Sequence, residues 1–242
     1  MGGGAGVSCP AARADTDVGG GKKRRREPQF ACVKASAVID APPDVVFRLF
    51  CDNSRVQEYN EHCREVVDLE TLDQSTKITW AASGRMGPFK ARDFCTLVHY
   101  RSLSDGTLAQ VSRPADHLRA PKSSKYVRSE VLLAGNFMRA VPGDPSRTEF
   151  LMVTHVNPGG AAESRAGAAL VNSMCASSPV TFVRRLEGAA QRLMREEEQQ
   201  LSSDMAGGAP QRDTAWAAPA PASPGPGPSV YDLPTAEANG VI

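Results

Sequence analysis

The chain has few aromatic residues, 6% of its 242 positions, and almost no net charge, with 28 Lys and Arg set against 27 Asp and Glu. Balanced charge names no partner by bulk attraction. The basic residues outside one short run are dispersed, and no aromatic motif of the RNA-reading kind is present, so nucleic acid is excluded as a partner. No stretch of about 18 apolar residues occurs, and the amino terminus lacks the apolar core of a secretory signal. The expected location is therefore cytoplasmic. The 6 cysteines (Cys9, Cys32, Cys51, Cys63, Cys95, Cys175) have no paired spacing, which favours reduced thiols over a disulfide frame. Neither His62–Cys63 nor Cys95 with His99 supplies the ligand set of a structural zinc site, so no metal and no cofactor are expected. His99, His117 and His155 stand apart without the spacing of a catalytic triad.

What is present divides into a centre and two ends. Residues 1–30 form a Gly-rich arm that closes on the basic run KKRRRE, and residues 203–242 are dominated by Pro and Ala. Neither composition buries enough apolar surface to offset the entropy of ordering, so both ends are expected to be disordered. Gly2 suggests myristoylation, but Gly6 stands where that motif asks for Ser or Thr. Residues 31–202 are left as a domain of ordinary size, long enough to bury a core.

Within it, apolar residues alternate. CVKASAVID places Val33, Ala35, Ala37 and Ile39 on one face and ends at Ala41-Pro42-Pro43, which reads as a strand followed by a helix opening at Pro43-Asp44. A second short helix fits SRVQEYNEH. Strands are expected over 63–71, 75–83, 92–101, 106–113, 126–138 and 148–156, joined by turns such as LDQS, SDG and PGDPS. Phe182, Leu186, Ala189 and Leu193 then recur at helical spacing in a long closing helix. This order implies an α+β arrangement in which a curved antiparallel sheet of about seven strands wraps around the C-terminal helix, with room for an internal cavity.

The loop GRMGPFK, residues 84–90, sits before one of these strands and carries Met86 and Phe89 among turn residues. Two apolar side chains in a Gly and Pro loop suit a gate that faces a lipid or a membrane surface.

The run RDFCTLVHYRSLSDGTLAQVSRPADHLRAPKSSKYVRSEVLLAGNF, then SRTEFLMVTHVNPGG and LVNSMCASSPVTFVRRLEGAA, resembles the steroidogenic acute regulatory protein-related lipid transfer (START) domains over residues 31–193. The resemblance implies a helix-grip fold holding one lipid in an inner tunnel, with the loop before Arg92-Asp93-Phe94 and the terminal helix as gate, and no enzyme activity. Three departures stand out. A Gly-rich arm replaces the family's opening helix and strands, Tyr59-Asn60 replaces the usual Trp-Asp, and the positions near Lys77 and Val98 lack the acid and base pair of sterol binders. A phospholipid or other acyl lipid is thus favoured over a sterol. The expected lipid-binding residues are Trp80, Arg92, Phe94, Val171, Asn172, Met174 and Phe182, with Met86 and Phe89 in the gate loop. The expected role is transfer or sensing of one lipid by a monomer that touches a membrane transiently. The alternative is a cyclase-like or hydrolase-like enzyme of the wider helix-grip superfamily.

Overall fold

The computed structural model describes residues 6–8, 30–175 and 178–207. A short strand β1 (Gly6–Ser8) precedes β2 (Cys32–Ile39), and Pro43 then opens helix α1 (Pro43–Cys51), where a missing N–H and a fixed φ cost nothing. The Asp52 carboxylate accepts from Ser54 N at 2.9 Å and starts a turn of 3-10 helix that leads into α2 (Val56–Tyr59). Six strands follow: β3 (Cys63–Asp73), β4 (Thr76–Ser83), β5 (Arg92–Ser102), β6 (Leu108–Pro114), β7 (Val127–Val141) and β8 (Asp144–Asn157). Helices α3 (Arg165–Cys175) and α4 (Ser178–Gly207) complete the order, so the single closing helix expected from the sequence is two.

The sheet has 8 strands in the order β1-β2-β8-β7-β6-β5-β4-β3, antiparallel except where β7 runs parallel to the start of β5. This is the expected helix-grip sheet with one addition: β1, from the stretch read as an arm, pairs with β2 between Ser36 and Lys34. The basic run of residues 22–26 and the tail beyond Gly207 lie outside the described residues. Among the described residues, no single helix is long and apolar enough to cross a membrane.

Side chains sort by parity along the strands. Lys77 donates to the Cys51 carbonyl and the Tyr100 hydroxyl donates to the Phe50 carbonyl, both in α1, so these residues mark the concave, helix-bearing face. Val33, Ala35, Ala37 and Ile39 share that face, as their alternation predicts; Val33, Ala35 and Ile39 are buried. The core lies between it and the helices: Ile39, Met138 and Phe150 from the sheet, Val45, Val46, Leu49 and Phe50 from α1, and Leu186, Ala189 and Ala190 from α4. Phe182 meets Tyr59 edge-on at 5.8 Å and lies 6.4 Å from Phe50 and 6.5 Å from Phe150, so one aromatic cluster joins both ends of the chain. Outside it, Arg55 binds Glu58 and Glu196, Arg192 binds Glu58 and Arg185 binds Glu61, tying α4 to α2 and the turn after it. Exposed pairs of this kind contribute little singly and more as a network.

Leu186 is fully buried, whereas Leu118 is 97% exposed. Leu186→Ala will lower unfolding free energy by about 2–5 kcal/mol in chemical denaturation, and Leu118→Ser will change it by less than about 0.5 kcal/mol.

Candidate functional site

The β4–β5 loop is built as a tight hairpin. Met86 N donates to Phe89 O at 3.2 Å and Phe89 N donates to Met86 O at 3.0 Å, leaving Gly87-Pro88 as the turn. Gly87 has φ 54°, a value that favours glycine at the first position of such a turn. The sequence suggested an apolar tip, but the tip shows Arg85, Gly87, Pro88 and Lys90 to solvent. Met86 is half-buried and Phe89 is only 7% exposed. Phe89 is held from below, because the Arg92 guanidinium lies over its ring at 4.9 Å.

Arg92 is itself 4% exposed and has no carboxylate partner in the hydrogen bonds of the described residues. Its Nε donates to Pro158 O at 3.2 Å and its Nη1 to Lys90 O, while burial holds its pKa below the usual arginine value. Pro158 O also accepts from Ser129 Oγ at 2.8 Å. The corner that presents this carbonyl is turned by Gly159, at φ 67°, where an added Cβ would lie 2.7 Å from Arg128 O. Arg92 therefore joins the hairpin loop to the β8–α3 corner by way of β5.

The next residue points to the opposite face. Asp93 is almost fully buried, receives Arg128 through two nitrogens at 3.1 and 2.8 Å, and accepts from Trp80 Nε1 at 3.0 Å. Burial raises the Asp93 carboxyl, but the hydrogen bonds from Arg128 and Trp80 outweigh it and hold the group below the usual aspartate range. Arg128 also donates to Ala120 O at 2.8 Å, which clamps the β6–β7 loop over a small cluster of Leu69, Ile78, Trp80 and Cys95. This corrects the placement of Trp80: with Ile78 it lines the convex face beneath that loop, one residue out of phase with Lys77 on the concave side. Asp93 thus anchors the start of β5 through an ion pair with Arg128, and Arg92 makes no ion pair among the described residues.

On the concave face the wall changes character along its length. Toward α1 it is filled by Met138, Phe150 and the helices. Toward the loop, Ala81, Phe94, Ser112, Ala134, Met152, Thr154 and Val156 stay half-buried although they face the helical side. The helix α4 packs on α1, α2, β2 and α3. Phe94 faces the helical side of the sheet, and Phe182 packs in the aromatic cluster with Phe50, Tyr59 and Phe150. Val171 is half-buried on α3, and Asn172 Oδ1 accepts from Ala31 N at 2.9 Å, tying α3 to the start of β2. The Met174 side chain lies outside the described residues.

A separate cleft of about 420 Å³ opens at the other end of the sheet, between α1 and the β3–β4 and β5–β6 turns. Lys77 crosses it to Asp68 at 3.1 Å and stands over the Tyr100 ring at 5.6 Å. The base thus finds its acid on β3, whereas Val98, in register with it on β5, is buried and apolar. The Cys51 thiol in the same wall is pushed up to about 11 by burial, which leaves it a poor nucleophile.

Sequence reasoning passed over Gln110, Ser112 and Asn136, which share the concave face. Asn136 Nδ2 donates to Gln110 Oε1 at 2.6 Å, and Gln110 Nε2 donates to Ser112 Oγ at 2.7 Å. Their signal was polar residues at inward parity, between Ala109 and Val111 and between Ala134 and Met138. His117 pairs with Glu70 at 3.1 Å, but its other nitrogen accepts from Arg119 N, so the ring is held from both sides on the surface.

A family model for the START domain matches residues 21–196. A bovine protein named StAR-related lipid transfer protein 5 is 25% identical over 122 residues, which cover 49% of this chain and 57% of that protein, so the match spans little more than half the relative's length. Among solved structures, human STARD10 superposes with a TM-score of 0.65 at 15% identity, covering 81% of this chain and 78% of that one. Human StAR-related lipid transfer protein 5 superposes with a TM-score of 0.60 at 18% identity, covering 68% of this chain and 77% of that one.

Asp93 carries a lowered pKa, so its stabilising effect is present above the unfolded aspartate value of about 3.9 and is lost as pH falls through the lower folded value. Asp93→Asn leaves Arg128 buried without a counter-charge and will cost about 3 kcal/mol at neutral pH. In denaturation measured across acid pH, the variant will also lose less stability than the parent chain below about pH 4.

Proposed function

Because the chain belongs to the START domain family, we propose that it binds a single lipid between the concave face of its sheet and the α3–α4 pair. The observation that carries this reading is the change along the concave wall. Phe94, Ala134 and Val156 are apolar and face the helical side, yet they lie outside the core cluster that holds Met138 and Phe150. Apolar surface left uncovered inside a fold costs free energy, and an acyl chain removes that cost by covering it. The bovine relative named above is called a lipid transfer protein, which agrees with this use of the fold.

The finer reading is an acyl lipid carried or sensed by a monomer that meets a membrane transiently and works in the cytoplasm. A sterol is less well served, because Lys77 is turned to Asp68 and to the Cys51 carbonyl, and Val98 offers no polar atom beside it. The β4–β5 loop is the door and Arg92 its latch. Opening would separate Phe89 from the guanidinium and break the bond to Pro158, each a modest interaction that a membrane surface can replace. An enzymatic role gains no support from His117, held on both nitrogens, or from the Cys51 thiol.

Incubated with liposomes containing a fluorescent acyl lipid, the full chain will extract the probe to one molecule per chain. Absence of uptake for acyl lipids and sterols alike would overturn the proposal. Two single variants test the door. Met86→Ser, at a half-buried position, will slow transfer several-fold with little change in melting temperature. Phe89→Ser will cost about 3 kcal/mol of stability and lower the melting temperature, because it removes a buried ring. Transfer by Met86→Ser at the parental rate would remove the loop from the lipid's path.

A further inference from the structure

Two adjoining loops at one end of the sheet gather exposed cations without counter-charges. Arg85 and Lys90 lie on the β4–β5 loop, and Arg119, Lys122 and Lys125 lie on the β6–β7 loop. Across residues 84–91 and 115–126 the acid is Asp116 alone, although the chain as a whole is balanced. None of these cations forms an ion pair among the described residues, whereas Arg55, Arg139, Arg147, Arg185 and Arg192 all do. Lys125 stands over the Tyr126 ring at 4.9 Å, and Glu65 acts on it from beyond ion-pair distance. The loops already touch, because Lys90 Nζ donates to the Ser124 carbonyl. Like charges brought together in this way repel, and an anion placed among them relieves the repulsion.

Ser124 stands at the centre of the group, with Lys122 and Lys125 beside it in the chain and Lys90 on its carbonyl. Residues 121–125 are exposed and form neither helix nor strand, so an enzyme can reach them. Ser123 Oγ accepts from Lys125 N at 3.2 Å, while the Ser124 hydroxyl makes no hydrogen bond among the described residues. Serines in other turns differ in charge. Ser54, Ser75 and Ser146 each donate to an aspartate, where a phosphate would meet a like charge. At Ser124 a phosphate would meet cations from both loops. One of these loops is fixed, since Arg128 donates to the Ala120 carbonyl while paired with Asp93. The other is the loop read above as the door.

We propose that Ser124 is a phosphorylation site, and that its phosphate, held by Lys90, clamps the β4–β5 loop to the fixed β6–β7 loop. The γ-phosphoryl group of a nucleoside triphosphate passes to Ser124 Oγ, supplied by a protein kinase whose acidic cleft selects basic segments. The bond from Oγ to phosphorus forms and the bond from phosphorus to the β-phosphate bridging oxygen breaks. The hydroxyl proton goes to a carboxylate of the kinase, and nucleoside diphosphate leaves. The Lys90 ammonium, on its flexible stem, then moves from the Ser124 carbonyl to the phosphate and makes a charge-assisted hydrogen bond across the two loops. The regulatory consequence rests on the door reading above; the modification and the clamp do not.

The test treats the full chain with a kinase selective for basic segments and labelled ATP, maps the phosphate by peptide mass spectrometry, and follows hydrogen exchange of the Met86 and Phe89 amides. Phosphate will enter at Ser124, and exchange of those amides will slow about fivefold, the effect of one exposed ion pair. The slowing will fade at high salt. Ser124→Ala will take no label at this loop. Lys90→Gln will be labelled at Ser124 yet exchange at the unmodified rate, and its backbone carbonyl still accepts from Arg92. A chain synthesised with phosphoserine at position 124 tests the clamp without any choice of kinase. No label at Ser124 would overturn the modification. Exchange unaltered by the phosphate, or slowed equally in Lys90→Gln, would overturn the clamp and leave these cations to solvent or to an anionic membrane. With the clamp in place, transfer of a fluorescent acyl lipid will slow several-fold. Slowed exchange beside unaltered transfer would keep the clamp and overturn the door.

Discussion

The position of α4 governs the rest of the molecule, and four rings decide that position. Phe50 from α1, Tyr59 from α2, Phe150 from β8 and Phe182 from α4 meet within one cluster, with Phe50 and Phe150 stacked at 6.1 Å. Leu186, Ala189 and Ala190 extend the contact along the helix, where the small residues let it approach the sheet. Once the helix is fixed there, it covers the concave face beside β2 and α1. The remaining face, under α3 and the start of α4, has apolar wall with less to pack against. The candidate cavity is in this sense a consequence of where the aromatic cluster anchors the helix.

Two adjacent residues divide the work at the other end. On β5, Asp93 turns outward and fixes the β6–β7 loop through Arg128, with Trp80 as a third member. Arg92 turns inward and holds the hairpin loop against the Pro158 carbonyl. The outward set is a buried ion pair with its lone pairs filled, which resists change. The inward set is a cation on two carbonyls and a ring, contacts that are individually modest. On the proposed reading, the first keeps the strand in place while the second lets the loop move.

Much of the architecture was legible from period-two alternation and from turn residues. CVKASAVID gave both the strand and its buried face, because Pro42 and Pro43 stop the ladder where the alternation ends. The strands from 63 to 156 were found within a few residues, although β7 and β8 run further toward their shared turn at Pro142-Gly143 than their apolar residues alone indicate. Trp80 was misplaced because Ile78 and Trp80 alternate as an inner face would, and a second apolar cluster beneath the β6–β7 loop gives the outer face the same pattern. Phe89 was read as a tip for a related reason: the sequence shows turn chemistry around it and gives no sign that Arg92 covers its ring. Asn136 was hidden, since a polar residue inside a strand marks either an outward face or an unfilled interior, and only the register with Gln110 and Met152 decides between them.

The account makes the uncovered half of the concave wall a place for one lipid molecule, and mass measurement of the intact complex tests this most directly. The full chain, re-isolated from a mixed-lipid extract and sprayed under conditions that keep noncovalent complexes together, should show one added mass in the range of an acyl lipid, with collisional release giving the same lipid mass. A spectrum showing only the bare chain mass after exposure to phospholipids, neutral acyl lipids and sterols would contradict it.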